Sequence, residues 1–521
     1  MADQSLEARP QINPWIVAFS VMFATFMEVM DTTVVNVSLP HIAGSLSASV
    51  DEATWTLTSY LVSNAIVLPM TGWLANYFGR KRLLMMSVTG FTLASLVCGL
   101  APSLPVLVMT RVVQGAAGGT LQPISQAILL EAFRPQDRGK AMAFWGLGIV
   151  VAPIMGPVLG GYLTDQYSWR WVFFINIPVG ITSLIMTKAF VFDPEYIGKQ
   201  LKKIDYWGLG MLAVGMGSLQ VLLDKGQEKD WFQSHLILAL AIVSIGAIVI
   251  LIIRELKARA PIVDLKVFKK RTYATGVFLM TTLGFVLYGS LVLVPILMQT
   301  LLGYSAYEAG IAMAPRGLGS FLTMPLVGIL VSKFDPRKLL AMGFTLGALS
   351  LYQLSVLNLS AGYWDFFWPQ FIQGVGMALL FVPLTTTTMD PIANQDMGNA
   401  TSIFNLLRNI GGSMGIAAAT TFTARSQQKL INVLGEHVNP YSLTSQLTTK
   451  EIQSHLMASG SDSFTALNQA HGVLFGMVHQ QAALISFLHG FLLMGGIFLL
   501  VLPALFIMKK PEESRGAPPM H

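Results

Sequence analysis

The sequence predicts an all-α polytopic membrane protein, on three observations. Only 12% of its 521 residues are charged and 53% are hydrophobic, whereas a soluble globular chain carries about 25% charged residues. A window of about 20 residues, the length that crosses a bilayer as a helix, finds fourteen apolar segments. The lysines and arginines between those segments fall mostly on one side.

The spans are expected at 14–38, 53–76, 83–101, 104–127, 140–163, 171–191, 206–223, 235–254, 274–300, 307–332, 338–357, 366–388, 399–422 and 484–508. The first follows a polar stretch, 1–13, and lacks a small-residue cleavage site, so it reads as a retained signal anchor. The third holds the single cysteine, Cys98, which leaves no disulfide framework. The fourth carries Arg111, the fifth is glycine-rich, and the seventh is glycine-rich and short. With the N-terminus inside, 24 of the 33 Lys and Arg lie on the cytoplasmic side and 6 outside, leaving Arg111, Arg316 and Arg408 within spans. That bias supports the span count and orientation. The net charge of +6 therefore belongs to loops that orient the chain, and nucleic acid is not an expected partner.

The halves repeat one another. Gly72-Trp-Leu-Ala-Asn76-Tyr-Phe-Gly79-Arg80-Lys81-Arg82-Leu83 aligns with Gly328 to Leu339, and Gln114-Gly115 with Gln373-Gly374. Weak self-similarity of two six-span halves in the same orientation is the signature of transporters that rock two bundles about a midplane site. The predicted organisation is a cytoplasmic tail 1–13, an N-terminal six-helix bundle 14–191, two extra spans with basic flanks at 192–272, a C-terminal six-helix bundle 273–508 containing a long outside loop 423–483, and a tail 509–521.

Four motifs carry a family resemblance: Met30-Asp31-Thr-Thr-Val-Val-Asn36-Val-Ser-Leu-Pro40, the loop Gly72 to Leu83, Arg111-Val-Val-Gln114-Gly115, and Ala152-Pro153-Ile-Met-Gly156-Pro157-Val-Leu-Gly160-Gly161. In this order and spacing they resemble the major facilitator superfamily, within it the fourteen-span drug:H+ antiporter branch of EmrB-type multidrug efflux transporters. The resemblance implies the major facilitator fold, two six-helix bundles plus two inserted spans. It also implies proton-driven export of structurally diverse hydrophobic compounds across a bacterial inner membrane by alternating access, with no cofactor and no enzymatic step.

Glu28 and Asp31 are the informative pair. An acid at mid-bilayer costs roughly 2.5–3.5 kcal/mol even on lenient scales and is by default a functional-site candidate. Three residues apart, both share one side of a helix. Arg111 is their expected counter-charge, since a guanidinium keeps its proton. Asp31, within the first-span motif, is expected to carry the coupling proton with Glu28 as auxiliary; the alternative is a permanent ion pair that only holds the first and fourth spans together.

The span-five motif removes side chains at helical spacing and frees a carbonyl, which gives close packing and a bend. The family implies that this bend discourages leak; an ordinary small-residue contact reads the same way. The loop residues Gly72, Asn76, Gly79, Arg80, Lys81 and Arg82 are the implied conformational lock, with Asn76 where an aspartate is common. Arg316 and Arg408 have no acid nearby in sequence and are assigned to gating or helix packing. Glu131, Asp335 and Asp390 are expected to be hydrated at span ends. Asn36, Gln114, Gln122, Gln126, Trp145, Tyr288, Gln299, Gln373 and Phe381 are candidate walls of a substrate cavity, with Asn64 a further midspan polar residue; each is equally readable as packing.

The outside loop 423–483 is long and polar, and a helix is expected to start at Thr448 with Glu451 closing a capping box. The family suggests contact with a periplasmic adaptor, a membrane fusion protein, leading to an outer-membrane channel; a loosely ordered cover is the alternative. Other function classes fare worse. Gly139-Lys140 and Gly198-Lys199 complete no phosphate loop. Gly411-Gly-Ser413-Met-Gly415 matches the nucleophile-elbow pattern but follows no strand. A proton-coupled importer or facilitator on the same scaffold is the remaining rival, since fold does not fix function.

Overall fold

The computed structural model describes residues 13–193, 205–258, 261–439 and 441–508. The predicted tails lie outside these residues except for Asn13, as does much of the basic flank before the seventh span. A helix occupies each of the fourteen predicted intervals. The chain runs through α1 (Pro14–Ser45), α2 (Val50–Ala53), α3 (Trp55–Val67), α4 (Thr71–Phe78), α5 (Arg80–Leu100), α6 (Leu104–Gly118), α7 (Leu121–Ala132) and α8 (Arg138–Gln166). It continues through α9 (Trp171–Phe174), α10 (Asn176–Phe190), α11 (Tyr206–Lys225), α12 (His235–Lys257), α13 (Arg271–Leu301) and α14 (Ala306–Leu330). Last come α15 (Pro336–Leu354), α16 (Tyr363–Met389), α17 (Met397–Gly435), α18 (Leu443–Ala458) and α19 (Ser463–Leu500).

Local chemistry sets many of these boundaries. Asn13 accepts from the Trp15 amide and Pro14 opens α1, where a missing N–H costs nothing. Ser305 and Glu308 form a capping box on α14. Asp335 is not simply hydrated, because it caps α15 by accepting from the Arg337 amide. The second span is broken by a 3-10 turn at Leu68–Met70 containing Pro69, and the fourth breaks between Gly118 and Leu121.

Among the described residues nine helices are long and apolar enough to cross a membrane, and the bent pair Pro135–Pro153 and Val158–Gln166 makes a tenth. The remaining predicted spans fall short for a physical reason. They are broken, as in α3–α4 and α6–α7, or they carry polar residues, as α15 does with Arg337 and Lys338 and α17 does with Asn405 and Arg408, which bond α7.

The helices of the first half pack on one another, as do those of the second, while α11 and α12 pair and α11 touches both α3 and α17. At the end where α11 begins, Asp205 caps it and accepts two hydrogen bonds from Arg254 of α12, at 2.7 and 2.8 Å. Those bonds hold the Asp205 carboxyl below the usual carboxylate range.

The outside loop differs from expectation. α17 continues to Gly435, α18 is capped by Ser442 rather than by Thr448, and α19 begins at Ser463 instead of 484. At 1.5 Å per residue α17 is about 58 Å long, against a hydrocarbon core of about 30 Å. α18 packs on α19, so the segment is a helical arm.

Candidate functional site

The two halves approach most closely near one end, the end bearing the basic loops around Arg80, Arg138, Arg271 and Arg337. There a Cβ on Gly72 would lie 2.6 Å from the Asn399 Cα, and one on Gly139 would lie 2.7 Å from the Gly328 carbonyl. Two glycines therefore allow backbone contact across the seam. Thr401 donates to the Pro123 carbonyl at 3.0 Å, Asn405 to Gln126 at 2.6 Å, and the Trp145 and Phe381 rings lie 5.9 Å apart. Arg80 pairs with Glu131 and donates to the Asn394 carbonyl at 3.3 Å. Glu131 is thus an ion-pair partner rather than a hydrated end charge.

The rest of the loop serves the same end. Gly79 takes φ +86, and Asp193 accepts from the Lys81 amide at 2.8 Å, placing an acid at the α5 N-terminus. Asn76 and Arg82 are exposed.

Above this seal the α17 surface divides by helical spacing. Gly411 and Gly415 lie against α13, Ser413 bonds Gln220 of α11 at 3.1 Å, and Leu407, Ile410 and Met414 fall between them, part-exposed or exposed. On α1, Thr33 and Val34 meet α8 while Asp31 points to α6, which leaves Thr32 and Asn36 on the free face. Ser413 sits inside a helix with an amide partner, unlike a nucleophile on a strand-to-helix turn.

Asp31 and Arg111 pair directly at 2.5 Å, both buried. Asp31 also accepts from Gln114 at 3.0 Å and from Asn176 at 2.7 Å. Arg111 donates to the Thr56 carbonyl at 3.0 Å and lies over the Tyr60 ring at 4.1 Å. This knot ties α1, α3, α6 and α10 together within the first half.

Glu28 is arranged differently. It accepts from Asn64 at 3.1 Å and from the Gln122 amide, and the Gln122 carbonyl accepts from Arg408 of the second half. Arg111 is not its partner. Glu28, Gln122 and Arg408 thus form a chain of α1 acid, α7 amide and α17 guanidinium across the seam.

Several predicted cavity residues are held by neighbouring side chains. Gln114 is committed to the Asp31 knot and Gln126 to Asn405; Gln373 is buried and donates to Ser290 at 3.3 Å. Trp145, donating to Thr25 at 3.1 Å, and Phe381 are buried in the seal. Tyr288 is half-buried against Gly412, and Gln299 is exposed near the end of α13. Arg316 donates to Gln370 at 2.9 Å inside the second half. Sequence reasoning missed Asn176, a polar residue in an otherwise apolar span, and the apolar stripe Leu407, Ile410 and Met414.

In the span-five motif Ala152 is buried and Pro153 half-buried. A Cβ on Gly156 would meet the Thr33 hydroxyl at 2.0 Å and one on Gly160 the Val34 carbonyl at 2.9 Å, whereas Gly161 faces open space. The helix bends by 42° between 153 and 158. The Pro157 side chain lies outside the described residues.

The Major Facilitator Superfamily profile matches residues 21–416. The chain belongs to this superfamily. It is 37% identical over 502 residues to the multidrug export protein EmrB of Escherichia coli K12, covering 96% of each chain. It is 38% identical over 501 residues to the fatty acid resistance protein FarB of Neisseria gonorrhoeae, covering 96% of this chain and 97% of that one. The fold matches the human organic anion transporter MFSD10 (TETRAN) with a TM-score of 0.61 at 12% identity, covering 95% of this chain and 100% of that one. A double-tryptophan mutant of XylE gives 0.60 at 14%, covering 95% and 96%. The chain is a multi-pass membrane protein of the superfamily, with EmrB-type relatives along nearly its whole length.

Proposed function

We propose that this protein is a proton-driven antiporter that exports structurally diverse hydrophobic compounds by alternating access, from the bacterial inner membrane, with both termini cytoplasmic. The observation that carries the reading is the placement of Glu28 at the seam, linked through Gln122 to Arg408. An acid whose partner Gln122 in turn holds Arg408 of the second half changes the energy of the contact between the halves when its charge changes. A proton on Glu28 removes the acceptor charge that orients Gln122, and so loosens the hold of Arg408 on the first half. With the substrate placed beside this chain, proton and substrate compete, and their different affinities for the two states couple their movements. Leu407, Ile410 and Met414 offer apolar contact and Asn36 a polar one, which suits varied substrates. The names of EmrB and FarB support export of this kind.

The basic face is cytoplasmic in this reading, which agrees with the excess of Lys and Arg there. The helical arm of α17, α18 and α19 then stands in the periplasm, where it contacts an adaptor of the membrane fusion type that leads to an outer-membrane channel.

Proteoliposomes loaded with ethidium and a pH dye test the coupling. Antiport predicts protons moving against the ethidium flux. Protons moving with it favour a proton-coupled importer on the same fold, and ethidium flux without proton movement overturns the coupling.

A further inference from the structure

On the outer side of the second half, a cavity of about 780 Å³ lies between the α11–α12 turn, α17 and α19. Its size is that of a small-molecule site. It is separate from the Leu407 to Met414 stripe, since its walls on α17 include Phe422, Arg425, Lys429 and Leu430.

The wall from the α11–α12 turn is built rather than incidental. Asp230 and Trp231 both take positive φ, 54° and 51°, in succession. Such strain persists only where the surroundings over-determine it, and it gathers at ligand clamps. Here Trp231 is fixed three ways. Its amide donates to the Gly226 carbonyl at 2.8 Å, its indole N–H donates to Thr421 on α17 at 2.9 Å, and its ring lies where a Cβ on Gly226 would come within 2.7 Å. Phe232 follows, 63% exposed, and completes the aromatic wall.

The opposite wall carries charge. Arg425 and Lys429 are one turn apart on α17, His489 faces them from α19, and no carboxylate lines the cavity among the described residues. Neither cation has an ion-pair partner among those residues. With Met397 taken at the inner membrane surface, Arg425 lies about 42 Å along α17 at 1.5 Å per residue, past a hydrocarbon core of about 30 Å and at the outer headgroup layer of a bilayer about 40–45 Å thick. Tryptophan belongs at that depth.

Two cations at headgroup depth beside an aromatic and aliphatic wall match one ligand chemistry. We propose that this cavity binds an anionic amphiphile, its head on Arg425 and Lys429 and its apolar tail along Trp231, Phe232 and Phe422. A bilayer phospholipid and a free fatty acid both have this chemistry.

The test uses the full chain in nanodiscs and the fluorescence of Trp231, isolated as the difference between wild type and Trp231→Phe. The probes are dibromo-phosphatidylglycerol, dibromo-phosphatidylcholine and dibromostearate. Two interfacial cations predict a preference of roughly tenfold or more for an anionic probe over the zwitterionic one. R425Q/K429Q removes that preference, and R425K/K429R keeps it. Preferential quenching by the phosphatidylglycerol identifies a bilayer lipid, and by the stearate a free fatty acid. Equal quenching by all three probes, or a preference unchanged in R425Q/K429Q, overturns the proposal.

Discussion

Arg408 donates a hydrogen bond to Gln122 across the seam between the two halves, and through Gln122 it is joined to Glu28. The two first-span acids differ in their partners. Glu28 belongs to a contact that breaks and re-forms if the halves rock, whereas Asp31 belongs to a knot inside one half.

Asp31→Asn leaves Arg111 buried without its counter-charge. Removing one member of a buried pair costs about 3–5 kcal/mol, while removing both charges together costs much less. A thermal melt in detergent is therefore expected to fall clearly for D31N and to recover in D31N/R111Q. Equal melting of D31N and wild type would remove the structural role of the knot.

Gly72→Leu places a side chain where even a Cβ would lie 2.6 Å from the Asn399 backbone. Closure at the basic face is expected to fail, shifting the population toward the state open there. Spin labels at Asn76 and Ser332, both exposed, report it in a Cys98→Ala background as a longer distance than in the same pair without the leucine.

The two glycines of the span-five motif that meet α1 differ from the one that does not. Gly156→Val overpacks the α1–α8 contact, an error that costs about 1–3 kcal/mol. Gly161→Ala enters open space and gains helix propensity. Melting curves are expected to drop for G156V and to hold or rise for G161A.

Deleting 440–475 removes α18 and the start of α19 but none of the seam. Transport in proteoliposomes is expected to stay near wild type, while resistance in cells that supply the adaptor falls. Unchanged resistance would remove the adaptor role of the arm.

Much of this arrangement was legible in the sequence because a bilayer leaves few choices. Span positions, the basic face and the repeat follow from hydropathy and charge, and an acid among apolar residues announces itself. The ranking of the acids did not follow. Spacing of three places Glu28 and Asp31 on one side of a helix, yet a rotation of about 60° sends one to α7 and the other to α6. Only packing decides that Gln122 belongs to the seam and Gln114 to the knot, since both are glutamines in the same predicted span. The arm was missed for a different reason. α17 and α19 lose their apolar signal where they leave the bilayer but continue as helices.

Glu28→Gln in proteoliposomes tests the central claim most directly. The side chain keeps its size and a hydrogen-bonding carbonyl but takes up and releases no proton. Ethidium uptake driven by a proton gradient is expected to fall to the level of empty liposomes, while exchange of ethidium for ethidium without a gradient continues. Gradient-driven uptake by E28Q at the wild-type rate would contradict the account and return the coupling role to another residue.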